Sequence, residues 1–111
     1  MSVPSEHAEQ VTFVNQFERE WPGVRIFAIP NGGFRSMTTA KKLREEGVRA
    51  GVPDLFIPAY QTWIEMKRTV GSRLSPEQKD WIAYLEAIGH IVIVAKGWRM
   101  AMDEVRKIIE R

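Results

Sequence analysis

The pattern of apolar and polar residues predicts three long helices, one near the start of the chain and two in its second half. Ser5 is placed to cap the first, which we expect to run to about Glu20 before Pro22 and Gly23 end it. The segment "LSPEQKDWIAYLEAIG" opens with a capping-box pattern and ends at Gly89. The last segment, "RMAMDEVRKIIER", again repeats apolar residues at helical spacing.

The segments between these helices have the shorter patterns that predict strands. We expect a strand in "VRIFAIP", and an antiparallel hairpin of "DLFIP" and "TWIEMK" joined by "AYQ". The continuously apolar "HIVIVA" favours a central, buried strand. A turn at "NGG" and a short helix in "SMTTAKKLREEG" separate the first two strands. This order predicts one α/β domain over residues 1–111, with helices flanking a small mixed β-sheet.

Composition excludes several kinds of site. The chain has no cysteine and only two histidines, which excludes disulfides, thiolate zinc sites and multi-histidine metal sites. The first residues lack the apolar stretch of a signal peptide, and the longest apolar run, Ile91 to Ala95, is too short to cross a bilayer. We therefore expect a cytoplasmic protein, of a bacterial or phage-infected host cell. The net charge of +2 is only a weak indication of an anionic partner.

Three charged residues interrupt the predicted hairpin. Because side chains alternate across a strand, Glu65 and Lys67 share one face, about 6.5–7 Å apart. Antiparallel pairing places the start of the preceding strand, at Asp54, beside them. Taken singly, Asp54 is equally well a turn residue, and Glu65 with Lys67 a solvated strand face.

Together, these side chains predict a site for a hard divalent cation. Two close carboxylates oppose each other's ionisation, and Mg²⁺ removes that conflict. Asp54, Glu65 and the Met66 backbone carbonyl offer three oxygen ligands. Lys67 can then hold an attacking water or stabilise the transition state of phosphodiester hydrolysis.

The first helix offers a further acid for this site, either Glu6 or Glu9. Glu6 lies on the stripe of Gln10, Phe13 and Phe17, the face expected to pack on the sheet. We therefore favour Glu6 as the inward acid, with Gln10 as its polar neighbour, and Glu9 remains the alternative.

These residues resemble the motif of the PD-(D/E)xK nuclease superfamily, with "PD" at Pro53-Asp54 and "ExK" at Glu65-Met66-Lys67. More closely, the chain resembles the small stand-alone form of the VRR-NUC family, the virus-type replication-repair nucleases. The matching segments occur in family order over about residues 5–95: "SEHAEQ", "PNGGFR", "GVRAGVPDL", "IEMK" and "LSPEQKDWIAYLEAIGH". The resemblance implies a restriction-endonuclease-like core.

The resemblance also implies an activity, namely metal-dependent endonuclease cleavage of DNA with Mg²⁺ or Mn²⁺, leaving 5′-phosphate ends. Stand-alone members resemble Holliday junction resolvases and are expected to be homodimers. Carried over, Asp54, Glu65 and the helix acid are metal ligands, and Lys67 is the catalytic lysine. Gln78 matches a polar family position, although helix capping alone also explains it.

Basic residues provide candidates for DNA contact. They cluster in and around the predicted short helix and after the catalytic lysine: Arg35, Lys41, Lys42, Arg44, Arg49, Arg68 and Arg73. We expect phosphate contacts and recognition of DNA shape, since no recognition helix is evident. Trp63, Trp98 and Met100 are candidates for a dimer surface, with core packing an equally good explanation.

Two alternatives to a junction resolvase remain open at this point. The first is a nuclease of the same fold that cuts flaps or duplex ends, and the second is a DNA-binding module without catalysis. A panel of branched and linear DNAs, with Mg²⁺ and with EDTA, separates them.

Overall fold

The computed structural model describes residues 2–30 and 36–111, which form helices on both sides of a four-stranded sheet. A 3-10 turn, Pro58–Tyr60, joins the second and third strands. In chain order, the elements are α1 (Glu6–Glu20), β1 (Phe27–Ala28), α2 (Met37–Glu45), β2 (Leu55–Ile57), β3 (Thr62–Lys67), α3 (Pro76–Ala87), β4 (Ile91–Lys96) and α4 (Trp98–Ile109). The sequence pattern predicts the same order.

The sheet is mixed, with the strand order β1-β2-β3-β4. Antiparallel pairing joins β1 to β2 and β2 to β3, whereas β3 and β4 are parallel and connected through α3. This confirms the predicted hairpin and the predicted α/β fold. The first strand is shorter than the predicted segment 24–30, because its partner β2 has only three residues.

The prediction that "HIVIVA" is a central strand is wrong. Within the described residues, β4 pairs only with β3 and lies at one edge of the sheet. Helices α3 and α4 both pack against it, which explains its continuous apolar sequence. The hydrophobicity of a strand depends on whether its two faces are covered. It does not depend on whether the strand is hydrogen-bonded on one edge or on both.

The main core lies between the sheet and the pair α1 and α4. Phe13 and Phe17 of α1 are completely buried there, against Ile64 and Met66 of β3. Complete burial of such a side chain contributes about 1.5–3 kcal/mol. Since Ile64 and Met66 face this core, the alternate residues of β3 must point to the opposite face of the sheet, where α3 lies.

The helix starts follow their sequence signals. Ser5 accepts a hydrogen bond from the Ala8 backbone at 3.0 Å, and Ser75 and Gln78 form the complete capping box of α3. Of the candidates for a dimer surface, Trp98 packs against the core, and 42% of Met100 is exposed. No helix in residues 2–30 and 36–111 is long and apolar enough to cross a membrane.

Candidate active site

The hairpin register brings the two predicted acids together. Leu55 pairs with Ile64, so Asp54 lies directly before the start of β2 and across from Glu65. One carboxylate oxygen of Asp54, Oδ2, accepts a hydrogen bond from the Met66 backbone N–H at 2.8 Å. This bond holds the Asp54 side chain against β3, on the face that carries Glu65.

Lys67 and Gln78 complete the arrangement on that face. The Lys67 ammonium donates to Gln78 Oε1 at 3.1 Å and lies 3.8 Å from Glu65 Oε2. The Gln78 amide nitrogen donates to the same Glu65 oxygen at 3.0 Å. Both Glu65 and Lys67 are buried, at 1% and 7% exposure. Asp54 is half-buried beside them. We call Asp54, Glu65 and Lys67 the buried cluster.

Gln78 has two structural roles at once. Its Oε1 accepts from the Ser75 backbone at 2.8 Å, which caps α3, and the same oxygen receives the Lys67 ammonium. The cap alone is explained by the sequence. The bridge to Lys67 and Glu65 depends on where α3 starts relative to β3, so no sequence pattern could establish it.

A close backbone contact helps to set the position of α3. Gly51, at φ 90°, approaches the first turn of α3 so closely that a Cβ at this position would lie 2.6 Å from the Glu77 carbonyl carbon. Only glycine combines this backbone conformation with this approach. The segment that carries Asp54 therefore packs directly on the helix that carries Gln78.

Burial dominates the electrostatics of the two acids. It raises the pKa of Asp54, against the opposing effects of the Met66 N–H and the Lys67 charge. Burial also raises the pKa of Glu65 to about 8, helped by the negative charge of Asp54 and, more weakly, that of Glu6. Lys67 opposes this rise without cancelling it. The folded protein therefore favours a proton on this pair at neutral pH.

One oxygen of the pair is left without a partner. Within the described residues, Glu65 Oε1 is buried and has no hydrogen bond. The Asp54 carboxyl is close enough to share a proton with Glu65. Two acceptors placed side by side need either a proton or a cation between them. The donor set therefore fits a divalent cation, which takes carboxylate oxygens as ligands.

The acids of α1 differ from the expectation that Glu6 is the inward one. Glu9 is the buried acid, at 4% exposure, and it continues the stripe of Phe13 and Phe17. Glu6, one turn earlier, is exposed, although its charge reaches Glu65. Among the described residues, no group of three or more acidic, histidine or cysteine side chains is arranged to hold a metal. A ligand role for Glu6 stays a prediction.

From the sequence, Glu9 is the alternative metal-site acid of α1. In the structure, Glu9 instead contacts the start of α4. Its Oε1 accepts a hydrogen bond from the Trp98 backbone at 3.0 Å, which caps the start of α4 from another helix. The preceding residue, Gly97, offers no side-chain cap and donates its N–H to the Lys67 carbonyl at 2.9 Å. A helix that begins after glycine without a capping side chain is the signal that could have revealed this partner.

The structure places most of the predicted DNA-contacting residues on the surface. Helix α2 buries none of its residues, and its cations and those that follow β3 are exposed: Lys41, Lys42, Arg44, Arg49, Arg68 and Arg73. Arg35 and the "NGG" segment lie outside the described residues. The roles predicted for these residues, and for the Met66 carbonyl, stay predictions.

Comparisons with known proteins agree with this geometry. The family model described as the VRR-NUC domain matches residues 7–98. A solved structure described as a VRR_NUC domain protein superimposes with a TM-score of 0.81 at 27% sequence identity, covering 99% of this chain and 92% of that chain. A search of curated proteins gives no match.

Proposed function

Because the chain belongs to the VRR-NUC family of nuclease domains, we propose that it is a metal-dependent DNA endonuclease selective for branched structures such as four-way junctions. The observation that carries the proposal is the unpartnered Glu65 Oε1, buried beside the Asp54 carboxyl. The ion pair with Lys67 engages the other oxygen, Oε2, and leaves Oε1 to a proton or a cation, because an unsatisfied buried acceptor costs about 1–3 kcal/mol.

Asp54, Glu65 and the Met66 carbonyl would hold Mg²⁺ or Mn²⁺, with Glu6 approaching from the exposed start of α1. A cation bound there lowers the pKa of a coordinated water and polarises the phosphate. The raised pKa of both acids supports this assignment. Carboxyls that resist ionisation when close together become compatible once a dication lies between them.

Lys67 is the residue proposed to act on the attacking water and the reacting phosphate. Its ammonium is held by Gln78 and Glu65, so it reaches the site in one orientation. In this position it can donate a hydrogen bond to the water oxygen and stabilise negative charge on the phosphate. The new bond joins this oxygen to phosphorus, and the bond to the 3′ oxygen breaks, which leaves 5′-phosphate and 3′-hydroxyl ends.

The exposed cations supply the proposed grip on DNA. Helix α2 presents Lys41, Lys42 and Arg44 without packing any residue into the core. Each phosphate that such residues neutralise adds about 0.9 to the salt dependence of duplex binding. The double change Lys41→Ala with Lys42→Ala is therefore expected to reduce the slope of log affinity against log salt by up to about 2.

A homodimer is proposed as the assembly that would cut a junction, because a twofold junction offers two equivalent strands to two equivalent sites. Light scattering of the purified protein tests this, and a monomer at cleavage concentrations would contradict it. The cytoplasmic location expected from the sequence stays a prediction.

The decisive experiment compares four-way junction, flap and linear duplex DNA, each incubated with Mg²⁺ and with EDTA. We expect cleavage only with Mg²⁺ and fastest on the junction, and loss of cleavage in Asp54→Ala with junction binding retained. Equal cutting of linear duplex would reject selectivity for branches, while faster cutting of flaps would assign a flap nuclease. Binding without cleavage under any divalent metal would assign a non-catalytic DNA-binding module.

A further inference from the structure

A row of aromatic rings lies on the sheet face opposite to the main core. Phe27, Phe56 and Trp63 occupy matching positions on β1, β2 and β3. The ring centroids are 5.8 Å apart for the two phenylalanines and 4.3 Å apart for Phe56 and Trp63. His90 stacks near both Phe56 and Trp63, and its Nδ1 accepts a hydrogen bond from the Trp63 indole at 2.9 Å. We call Phe27, Phe56 and Trp63 the aromatic row.

The aromatic row remains accessible, although rings of this size are usually buried. Phe27 is 50% exposed, and Phe56, Trp63 and His90 are each only partly buried. Helix α3 lies on the same side of the sheet and packs against β4, at the far side of the sheet from β1. The hydrogen bond from Trp63 to His90 holds the indole in one orientation.

The row is continuous with the candidate active site. Phe56 follows Asp54 by two residues, and Trp63 precedes Glu65 by two residues, so all four share one face of the sheet. Two residues along a strand span about 6.5–7 Å.

We propose that the aromatic row binds unpaired bases of the DNA strand whose backbone passes beside the buried cluster. The inference rests on the proposed nuclease function, and it names nucleotides unpaired at the branch point, beside the cut, as part of the substrate. Aromatic side chains stack on the faces of unpaired bases with little regard to sequence. Bases inside a duplex have their faces already covered by neighbouring bases, so a continuous helix cannot use the row.

A DNA strand fits this face better than a protein partner does. A short nucleotide segment can bring a base to the aromatic row and a phosphate to the acids. The rings of Phe56 and Trp63 are each two residues along a strand from an acid. An apolar protein surface that covered the rings would lie beside Asp54 and Glu65 on the same face of the sheet, where the buried Glu65 Oε1 already has no hydrogen-bond partner among the described residues.

The test measures binding in EDTA, where no cleavage occurs. A single-stranded DNA and a blunt duplex, each carrying 2-aminopurine, are titrated with wild type, Phe27→Leu and Phe56→Leu. Leucine keeps an apolar side chain, of smaller volume, and removes the stacking face. We expect each variant to bind the single strand about tenfold more weakly and to lose quenching of the 2-aminopurine, with duplex affinity changed less than about twofold.

A matched control is Tyr84→Leu, which removes an aromatic ring that is 57% exposed on α3. Tyr84→Leu should bind both DNAs as wild type does. Phe27→Trp keeps an aromatic ring, so it should bind the single strand as wild type does, unlike Phe27→Leu. Melting temperatures identify any variant that is poorly folded, and Phe27, at the exposed end of the row, is the position least sensitive to that effect.

Two results would overturn the inference, namely unchanged single-strand binding in both leucine variants, or equal loss for single strand and duplex. A change of oligomeric state in Phe27→Leu would assign the row to contact between copies instead. The stacking surface and the nuclease activity can fail separately in these experiments. A wild-type protein that quenches 2-aminopurine but never cleaves DNA with Mg²⁺ leaves the stacking surface standing and rejects the nuclease.

Discussion

Two clusters of this protein have the same charge composition and opposite properties. The surface cluster joins the ends of α1 and α4 and consists of Glu20, Glu110 and Arg106. Like the buried cluster, it contains two carboxylates and one cation. Its side chains are 38–48% exposed, whereas those of Glu65 and Lys67 are 2% and 8% exposed.

The pKa of Glu20 in the surface cluster shifts in the opposite direction to the pKa values of both acids in the buried cluster. The hydrogen bond from Arg106 lowers the pKa of Glu20, and Glu20 in turn raises the pKa of Arg106. In the buried cluster, loss of hydration outweighs the nearby lysine, and both acids have raised pKa values. Water, rather than the set of charges, decides whether a cluster is satisfied by its own members or needs a further cation.

Removing the cation from each cluster should give the largest difference between them. Under the proposed function, Lys67→Met is expected to slow single-turnover cleavage by about 10²–10⁴-fold, because the ammonium would act on the attacking water and the phosphate. Arg106→Met removes a cation of similar length and should change the rate less than about twofold. Binding in EDTA controls for DNA affinity. Equal losses in both variants would show that Lys67 has only a structural role.

A comparison of Gln78→Ala with Ser75→Ala separates the capping role of Gln78 from its hydrogen bonds to the buried cluster. Each variant removes half of the capping box, so each should lose about 1 kcal/mol of stability. Only Gln78→Ala also removes the hydrogen bonds to Glu65 and Lys67. We expect it alone to slow cleavage, by about 10–100-fold. Matching rates in the two variants would reduce Gln78 to a cap.

The dependence of stability on pH should have opposite signs in the two clusters. Folding raises the pKa of Glu65 from 4.5 to about 8, so the folded state binds more protons and stability falls as pH rises between these values. Glu65→Gln should therefore melt more than about 5 °C higher than wild type at pH 8 in EDTA, and at the same temperature near pH 4.

The matched variant for that experiment is Glu20→Gln. Because folding lowers the pKa of Glu20, its contribution is present above the unfolded value and disappears as pH falls. This variant should melt slightly below wild type at pH 7, and the difference should vanish in acid. A difference for Glu65→Gln that is independent of pH would contradict the raised pKa.

High salt should have the smallest effect on melting temperature, and it should distinguish the exposed ion pairs from the buried cluster. The contribution of Arg106 passes through solvent-exposed contacts with Glu20 and Glu110, which 1 M salt screens over about 3 Å. The small difference in melting temperature between Arg106→Met and wild type should therefore disappear in 1 M NaCl. The difference for Glu65→Gln at pH 8 should persist, and its loss in salt would mean that the buried cluster is hydrated.

Much of the site was predictable because it depends on strand periodicity. The alternation of side chains puts Glu65 and Lys67 on one face, and hairpin pairing places Asp54 beside them. The choice between the two acids of α1 was beyond this reasoning. Glu6 and Glu9 differ by less than one helical turn, and the contact that separates them is the start of α4, 89 residues later.

The aromatic row, too, could not be predicted from the sequence. Phe27, Phe56 and Trp63 are ordinary strand residues in the sequence, where each is as well suited to a core as to a surface. Their alignment depends on the registers of two strand pairs, and their accessibility depends on which strand α3 covers. Neither property has a local signature.

The sequence by itself determined the order of the elements, the caps of α1 and α3 and the nuclease motif, because each depends on residues close together in the chain. The tertiary structure decided the edge position of β4, the double role of Gln78 and the burial that raises the pKa of Glu65 to about 8. The reason is physical: hydration and hydrogen-bond partners depend on packing between distant segments, which local patterns do not encode.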